Sequence, residues 1–233
     1  MTVAAVLTAA GLGTRLGADV PKALVNVAGR PLVAWALDRL AASAAIVVIT
    51  APAGHADEFE AVLAAAQLAH PRTDITVVEG AGTRQESVAA GVKALAGRAV
   101  QPTVIAIHDA ARAFMPAEAI DEAIAAVRAG ADGAVPVVPV VDTLVAAPGA
   151  DGALGDGIDR SALRAVQTPQ VFAADVAVDV HRRAADDGFT GTDDATLARH
   201  YGYRVVATAG HSWGFKVTTP GDLALAEHVA RSS

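Results

Sequence analysis

Residues 9–22 read A-A-G-L-G-T-R-L-G-A-D-V-P-K and lie between a predicted strand and a predicted helix. The strand is the apolar run at residues 3–7, and the helix is residues 31–43, whose apolar side chains recur at helical spacing. Glycines let backbone N–H groups come close to a phosphate, and the arginine and lysine of this loop add positive charge. Such a loop after the first strand of an α/β chain favours a nucleoside triphosphate as ligand.

The glycines of this loop complete neither of two common phosphate-binding motifs. A dinucleotide-binding fingerprint requires a third glycine where this chain has Leu16, and a Walker loop requires a Gly-Lys-Ser/Thr triplet that does not follow the glycines. Gly11 and Gly13 alone would also fit a tight turn flanked by solvated basic residues. Arg15 and Lys22 favour the alternative, a loop that handles phosphate.

The composition excludes several classes of protein. Of the 233 residues, 53% are hydrophobic and 18% are charged, which indicates a globular chain with a sizeable core. The absence of cysteine excludes disulfides, thiolate zinc sites and a cysteine nucleophile. A net charge of −7 argues against a general nucleic-acid binder. The start of the chain has neither the basic region of a secretory signal nor the length of a membrane span, so we expect a cytoplasmic protein.

Lysine is rare in this chain, which draws attention to where it occurs. Of 18 basic residues, three are lysines: Lys22, Lys93 and Lys216. Because the chain otherwise uses arginine, a lysine in the glycine-rich loop indicates a need for a compact point charge. Lys93 falls in a predicted helix and is expected on its surface, whereas Lys216 is a second candidate for the site. In an acidic protein, a phosphate site needs such local cations and a divalent metal.

Strand and helix patterns alternate through the first half of the chain. Apolar runs predict further strands at residues 45–50, 74–78, 103–107 and 134–138, and helical spacing predicts helices at residues 56–68, 87–95 and 116–128. Near-continuous apolar strands separated by helices indicate a mostly parallel sheet with helices on both faces. Ligands bind beyond the carboxyl ends of such strands. We therefore expect the glycine-rich loop, residues 80–87 and residues 108–112 on one rim.

The alternation stops after the fifth predicted strand. Residues 139–166 read as short β segments around a glycine-rich turn at 148–157, which fits a surface hairpin or an arm that packs on another subunit. Helices are predicted again at residues 174–185, 194–201 and 220–230, with short strands at 204–207 and about 215–217. No repeat or linker is visible. We expect a single domain over residues 1–233 with a projecting β-arm at about 139–166.

Two further polar clusters follow predicted strands. In E-G-A-G-T-R, residues 79–84, small residues would let a base approach the backbone, and the hydroxyl of Ser87 could bond a base edge. A turn with a helix cap fits the same residues. In H-D-A-A-R, residues 108–112, Asp109 is a natural Mg²⁺ ligand or ribose partner, and Arg112 could hold a phosphate. The alternative for this second cluster is a surface Asp–Arg pair.

Taken in order, the motifs resemble those of the 2-C-methyl-D-erythritol 4-phosphate cytidylyltransferase family. They are A-A-G-x-G-x-R…P-K, G-x-x-x-R-x-x-S-V, H-D-A-A-R, D-T, D-R, T-P-Q, T-D-D and K-V-T, and they run from residue 3 to about residue 227. The resemblance implies a Rossmann-like, glycosyltransferase-A-like fold. It also implies transfer of CMP from CTP to methylerythritol phosphate by a homodimer whose β-arm reaches into the partner's active site, with no role for nucleic acid or membrane.

The resemblance further implies roles for individual residues. Arg15 and Lys22 would stabilise charge on the α-phosphate, and Lys216 together with Arg160 from the partner's arm would position the sugar phosphate. From its place at a strand end, and not from the resemblance, Asp109 is the predicted Mg²⁺ ligand. The residues implied in substrate binding are Ala9, Ala10, Gly11, Gly13, Gly80, Ala81, Gly82, Arg84, Ser87, Asp109, Ala110, Arg112, Thr143, Thr168 and Thr192.

Two alternatives to this function remain open at the level of sequence. A cytidylyltransferase for another polyol phosphate, such as ribitol 5-phosphate, would share the first three motifs. A non-catalytic nucleotide-binding subunit on the same fold is a different class of protein. The presence of Arg15, Lys22, Arg160 and Lys216 together argues against that class, because a subunit without activity has no need for all four.

Overall fold

The computed structural model describes residues 1–11, 13, 16 and 20–232, so Arg15 lies outside the described residues. The strands, in chain order, are β1 (Val3–Thr8), β2 (Asn26–Val27), β3 (Arg30–Pro31), β4 (Ile46–Ala51), β5 (Asp74–Glu79), β6 (Val104–Asp109), β7 (Gly133–Pro139), β8 (Leu144–Val145), β9 (Gly157–Ile158), β10 (Arg164–Val166), β11 (Gln170–Ala173) and β12 (Val205–Ala209). The α-helices are α1 (Leu32–Ala41), α2 (Ala56–Ala69), α3 (Arg84–Ala96), α4 (Ala117–Arg128), α5 (Ala174–Asp187), α6 (Asp194–His200) and α7 (Pro220–Ser232).

The centre of the fold is an eight-stranded, mostly parallel sheet. Its order is β10-β7-β11-β6-β1-β4-β5, and β12 also pairs with β7. Strand β1 runs parallel to β4 and β6, and β4 runs parallel to β5. Strand β11 lies antiparallel between β6 and β7, and β10 is antiparallel to β7. The predicted α/β fold class is confirmed, and the sequence analysis did not identify β11 as a strand.

Helices cover both faces of the sheet, as alternate residues of β1 show. Val3, Ala5 and Leu7 belong to a buried cluster with residues of α1, α2 and α4. Ala4 and Val6 belong to a second cluster with residues of α3, α5 and α6. Because both sets of side chains are buried, the strand reads as a continuous apolar run in the sequence.

Helix α3 begins at a capping box, which fixes the direction of its first residue. The Thr83 hydroxyl accepts a hydrogen bond from the Glu86 backbone N–H at 3.2 Å, and the Glu86 carboxylate accepts one from the Thr83 N–H at 2.9 Å. Two backbone donors at the helix start are thereby satisfied. The box places Arg84 at the first helical position, directly after the loop that leaves β5.

The predicted arm is a short hairpin at the edge of the sheet. Strand β8 pairs with β9, with Leu144 opposite Ile158, and β10 returns to the sheet by pairing Arg164 with Pro139. In the chain between these pairs, the apolar residue Leu154 is 77% exposed.

The predicted short strand at about 215–217 is wrong. These residues follow a 3-10 helix, Ser212–Gly214, and pair with no strand of the described chain. The Val217 N–H instead donates to the Ala111 carbonyl at 2.8 Å, and Val217 packs with Phe114 in a third apolar cluster. Among the described residues, no helix is long and apolar enough to cross a membrane.

We predict that Gly91→Val lowers the free energy of unfolding by about 2–3 kcal/mol, because a side chain there overpacks the core. A Cβ at Gly91 would lie 2.5 Å from Val6 Cγ1 and 3.2 Å from Thr50 Cγ2. Gly97→Val is the matched control, since the nearest atom to a Cβ at Gly97 is 3.8 Å away, and it should cost about 0.5 kcal/mol or less. Urea unfolding measures both, and an equal loss in the two variants would contradict the close packing of α3 on the sheet.

Candidate active site

A cavity of about 560 Å³ opens beyond the carboxyl ends of β1, β4, β5 and β6. The loops that follow these four strands form its wall, together with residues from the 3-10 turn at 22–24 and from the chain before α7. This is the rim at which α/β sheets bind ligands. The lining residues are Thr8, Ala9, Ala10, Gly11, Lys22, Ala23, Pro52, Ala53, Ala81, Gly82, Thr83, Arg84, Ser87, Asp109, Ala110, Ala111 and Lys216.

Most residues singled out from the sequence line this one cavity. Those that do are Ala9, Ala10, Gly11, Lys22, Ala81, Gly82, Arg84, Ser87, Asp109, Ala110 and Lys216. The sequence analysis missed Pro52 and Ala53, which follow β4, because a Pro-Ala pair carries no chemical signal of its own. The proximity of β4 to β1 in the sheet brings them there.

Asp109 is the charged centre of the cavity wall. Its Oδ1 accepts hydrogen bonds from Arg84 Nε at 2.9 Å and from Thr8 Oγ1 at 3.2 Å, and its Oδ2 accepts one from Lys216 Nζ at 2.7 Å. Its side chain is 8% exposed. Of the two alternatives for H-D-A-A-R, the surface pair with Arg112 is not the one found, since Asp109 pairs with cations from two distant segments.

These contacts set the charge state of the cluster. Burial alone would raise the pKa of Asp109, but the charges of Arg84 and Lys216 outweigh it and hold that pKa well below its usual range. Burial likewise disfavours the charged guanidinium, yet the carboxylates of Asp194 and Asp109 keep the pKa of Arg84 above its ordinary value. Asp109 is therefore a carboxylate at every pH at which the protein would work.

Behind the cavity, Arg84 has a second carboxylate partner that the sequence analysis missed. Arg84 Nη1 donates to Asp194 Oδ2 at 2.8 Å, and Asp194 is 1% exposed. The run T-D-D at 192–194 is typical of a helix cap, and Asp193 does cap α6 by accepting from the Thr196 N–H at 2.8 Å. The next residue, Asp194, lies in the interior. A second acid directly after a cap was the available signal.

A buried histidine network holds the backbone at Asp109. The Asp109 N–H donates to Thr168 Oγ1 at 3.1 Å, and Thr168 Oγ1 lies 2.9 Å from His108 Nδ1. On the other side, His108 Nε2 lies 3.2 Å from the Arg112 carbonyl, which can only accept. Nε2 therefore carries the proton, and Nδ1 accepts from the threonine hydroxyl. Burial lowers the pKa of His108 to about 4, so its imidazole is neutral.

Thr168 and Arg112 do not line the cavity in this chain. Thr168 is 4% exposed, and its hydroxyl is engaged in the histidine network. Arg112 donates from Nη1 to the Gly214 carbonyl at 2.7 Å and from Nη2 to the Val166 carbonyl at 3.3 Å. Burial is the main reason that the pKa of Arg112 lies below its usual value. Arg112 thus ties the end of the arm to the segment that carries Lys216.

Two glycines are required by close contacts at the cavity. Gly13 has φ +71°, and a Cβ on it would lie 2.7 Å from Lys22 Cβ. A Cβ on Gly80 would lie 2.8 Å from Ala10 Cβ and 2.9 Å from Ser87 Oγ. Side chains at these positions would displace Lys22 or the neighbouring loops. Glycine therefore sets the shape of the cavity here, although neither residue lines it.

Ser87 organises the loop after β5. Its Oγ accepts from the Ala81 N–H at 2.9 Å and lies 2.8 Å from the Thr83 carbonyl, to which it donates. This hydrogen bonding holds the small residues 80–82 against the cavity. The predicted contact of Ser87 with a base edge stays a prediction.

The remaining predicted residues lie away from the cavity. Thr143 and Arg160 are exposed on the arm, where the Arg160 guanidinium donates to the Val141 carbonyl. Thr192 Oγ1 is 3.1 Å from Thr196 Oγ1, beside a space of about 30 Å³ behind Arg84. Their roles in substrate binding also stay predictions.

One carboxylate of the cavity wall has the chemistry of a Mg²⁺ ligand. Within the described ranges, no group of three or more His, Asp or Glu side chains could hold a metal by itself. Mg²⁺ in nucleotide sites is bound by one or two carboxylates together with substrate phosphates and water. The ionised Asp109, facing the cavity, is a suitable single carboxylate.

Comparisons with known proteins agree on one family. The 2-C-methyl-D-erythritol 4-phosphate cytidylyltransferase family model matches residues 3–232. The enzyme of that name from Streptomyces coelicolor is 44% identical over 233 residues, covering 97% of this chain and 84% of the relative. The one from Saccharopolyspora erythraea is 43% identical over 231 residues, covering 98% and 99%. The crystal structure of the one from Thermus thermophilus is 34% identical with a TM-score of 0.79, covering 97% and 98%.

We predict that acid weakens the fold through His108. Its pKa is about 4 in the folded chain against 6.5 ordinarily, so the unfolded chain takes up the proton first as the pH falls. Stability from this group is full above pH 6.5 and decreases by about 3 kcal/mol between pH 6.5 and 4. In His108→Gln the decrease in unfolding free energy over this range should be smaller by that amount. Urea unfolding at several pH values measures it, with the exposed His228→Gln as control. An unchanged slope in His108→Gln would contradict the buried, neutral imidazole.

Proposed function

The chain belongs to the 2-C-methyl-D-erythritol 4-phosphate cytidylyltransferase family, and from this premise we propose which residues perform the reaction. The chain is a nucleotidyltransferase of isoprenoid biosynthesis that transfers CMP from CTP to methylerythritol phosphate and releases pyrophosphate. One observation carries the assignment of residues: Lys22, Arg84 and Lys216 line a single cavity with Asp109, at the carboxyl ends of the parallel strands.

The reaction needs charge neutralisation more than proton transfer. An oxygen of the methylerythritol phosphate forms a bond to the α-phosphorus of CTP, and the bond from that phosphorus to pyrophosphate breaks, its electron pair leaving with pyrophosphate. The attacking phosphate monoester has a second pKa of about 6, so at neutral pH it is already a nucleophilic dianion. The site must align several anions and offset their repulsion. Lysines and an arginine can do this.

We assign the two cavity lysines to the two reacting phosphates. Lys22 would stabilise charge on the α-phosphate, together with Arg15, whose role rests on the family resemblance. Lys216 would position the phosphate of methylerythritol phosphate. Its ammonium group is held at the cavity wall by Asp109 at 2.7 Å, which keeps it extended toward the cavity before substrate arrives.

The nucleoside would occupy the part of the cavity lined by small residues. Ala10 and Gly11 lie on one side and Ala81 and Gly82 on the other, and Gly80 behind them keeps the two loops close. Backbone groups of these loops and of Ala110 can bond cytosine and ribose without interference from side chains.

We propose Mg²⁺ as the divalent ion of this site. Asp109 would hold it together with the triphosphate, and the ion would neutralise charge on the phosphates when bound. Thr8 Oγ1 donates to Asp109 Oδ1 at 3.2 Å, which helps to orient the carboxylate.

We also propose that the site is completed by the arm of a second copy in a homodimer. The arm carries Thr143 and Arg160 outward, and neither residue lines the cavity of its own chain. Apolar side chains on the arm are open to solvent, with Val141 79% exposed and Leu154 77% exposed. Covering them against a partner would remove apolar surface from water. The cytoplasmic location expected from the sequence is kept as part of the proposal.

We predict that Lys22→Ala and Lys216→Ala each reduce turnover by roughly a hundredfold to a thousandfold, as the loss of one transition-state charge partner does. Pyrophosphate release with CTP, Mg²⁺ and methylerythritol phosphate measures it, with ribitol 5-phosphate as the competing substrate. Lys93→Ala is the matched control, because Lys93 is exposed on α3 and should leave turnover unchanged. Full activity of Lys22→Ala, or higher activity with ribitol 5-phosphate, would contradict the proposal.

We predict that mixing two inactive variants, Arg160→Ala and Lys216→Ala, restores activity. If Arg160 acts across the dimer, a mixed dimer has one site with both cations, and co-expression should recover about a quarter of the wild-type activity. If Arg160 acts within its own chain, each site of a mixed dimer lacks one cation. Recovery no greater than the sum of the two variants would therefore overturn the exchange of arms.

A further inference from the structure

Four charged side chains of alternating sign lead from the cavity into the protein: Lys216, Asp109, Arg84 and Asp194. We propose that Asp194 is a positioning residue for cytidylyl transfer, which acts through Arg84 to hold Asp109 in place for the nucleotide. This inference rests on the proposed function, in which Asp109 would hold Mg²⁺ together with the triphosphate. It adds a residue that never touches the substrate.

The geometry of Arg84 carries the inference. Its guanidinium bonds Asp109 through Nε at 2.9 Å and Asp194 through Nη1 at 2.8 Å. A guanidinium is planar, so fixing one edge determines where the other donors point. Asp194 is 1% exposed and does not line the cavity, whereas Arg84 and Asp109 do. Asp194 can therefore influence the cavity through Arg84.

Several contacts hold the segment of chain that carries Asp194. It is the first residue of α6, and its neighbour Asp193 caps that helix. The buried Gln170 side chain donates to Asp193 Oδ2 at 2.8 Å and accepts from the Ala195 N–H at 2.8 Å. On the far side, His181 Nε2 lies 3.2 Å from Asp194 Oδ1. The backbone that carries Asp194 is thus fixed, and the carboxylate bonds Arg84 from there through Oδ2.

Charge balance explains what the loss of Asp194 would do. In the intact chain the carboxylates of Asp109 and Asp194 pair with two cations. Asp109 pairs with both Arg84 and Lys216, and Asp194 pairs with Arg84. Without the charge of Asp194, Asp109 becomes the one carboxylate paired with Arg84 among the described residues. A stronger pairing of Arg84 with Asp109 competes with the ligands that Asp109 must bind in the cavity. Nucleotide binding should therefore weaken.

The test compares Asp194→Asn with Asp193→Asn, which makes the same chemical change one residue away. Asparagine keeps the shape of the side chain and, at 193, still caps a helix, while its amide NH2 replaces the oxygen that accepts from Gln170. We expect Asp194→Asn to raise the Kd of CTP, measured by calorimetry without the second substrate, on the order of tenfold. Asp193→Asn should bind CTP like the wild type. Equal CTP affinity in the wild type and Asp194→Asn would overturn the inference.

The variant Arg84→Gln shows whether Asp194 acts through Arg84. In that background, Asp194→Asn should lower CTP affinity little further, because the connection is already broken. Independent, additive losses would assign Asp194 a general structural role instead. Asp109→Asn separates this inference from the proposed function. If Asp109→Asn leaves CTP binding intact, the proposed nucleotide site fails, and if it weakens binding while Asp194→Asn does not, this inference alone fails.

If Asp194→Asn does not fold, a measurement on the wild-type protein still tests the inference. His181 lies on the opposite side of Asp194 from the cavity. If the charges of the four side chains are coupled, CTP binding should shift the NMR signals of the His181 ring, and Arg84→Gln should abolish that shift. Unchanged His181 signals at saturating CTP would overturn the inference.

Discussion

The carboxylate of Asp109, shared between Arg84 and Lys216, is the interaction on which the site depends. It joins the carboxyl end of β6 to the start of α3 and to the segment before α7. These parts of the chain are far apart in sequence, and the parallel pairing of β6 with β1 brings them to one rim. The position of Asp109 therefore determines the orientation of Arg84 and Lys216, and the orientation of these two cations determines which ligand the cavity can bind.

Burying such a cluster of charges costs free energy, and the arrangement of its hydrogen bonds offsets part of that cost. A charge taken out of water must be offset by partners with good geometry, and an ion pair of this kind contributes little net stability. Here the Asp109 carboxylate accepts from Arg84, Thr8 and Lys216, and its backbone N–H is fixed by Thr168 and the neutral His108. The structure holds an ionised, oriented cluster before any ligand arrives. This is how a site stabilises developing charge without reorganising during the reaction.

Strands could be predicted from the sequence where local chemistry determines the structure. They could not be predicted where tertiary contacts determine it. The buried parallel strands are continuous apolar runs, so β1, β4 and β6 could be predicted from the order of apolar residues alone. Strand β11 was missed because it has four residues and its antiparallel pairing depends on β6 and β7. Residues 215–217 alternate like a strand, but Phe215 and Val217 pack in an apolar cluster with Phe114 rather than in a ladder.

The residues of the site likewise divide into those that a local pattern identifies and those that tertiary packing places. Motif order identified Lys22, Asp109 and Lys216, whereas the interior position of Asp194 depends on how α6 packs against α5, β7 and β12. The most direct test is a crystal structure with bound CTP. The account predicts the triphosphate beside Lys22 in this cavity, with its Mg²⁺ at Asp109. CTP bound elsewhere, or with its phosphates remote from Lys22 and Lys216, would contradict the central claim that these cations converge on one nucleotide.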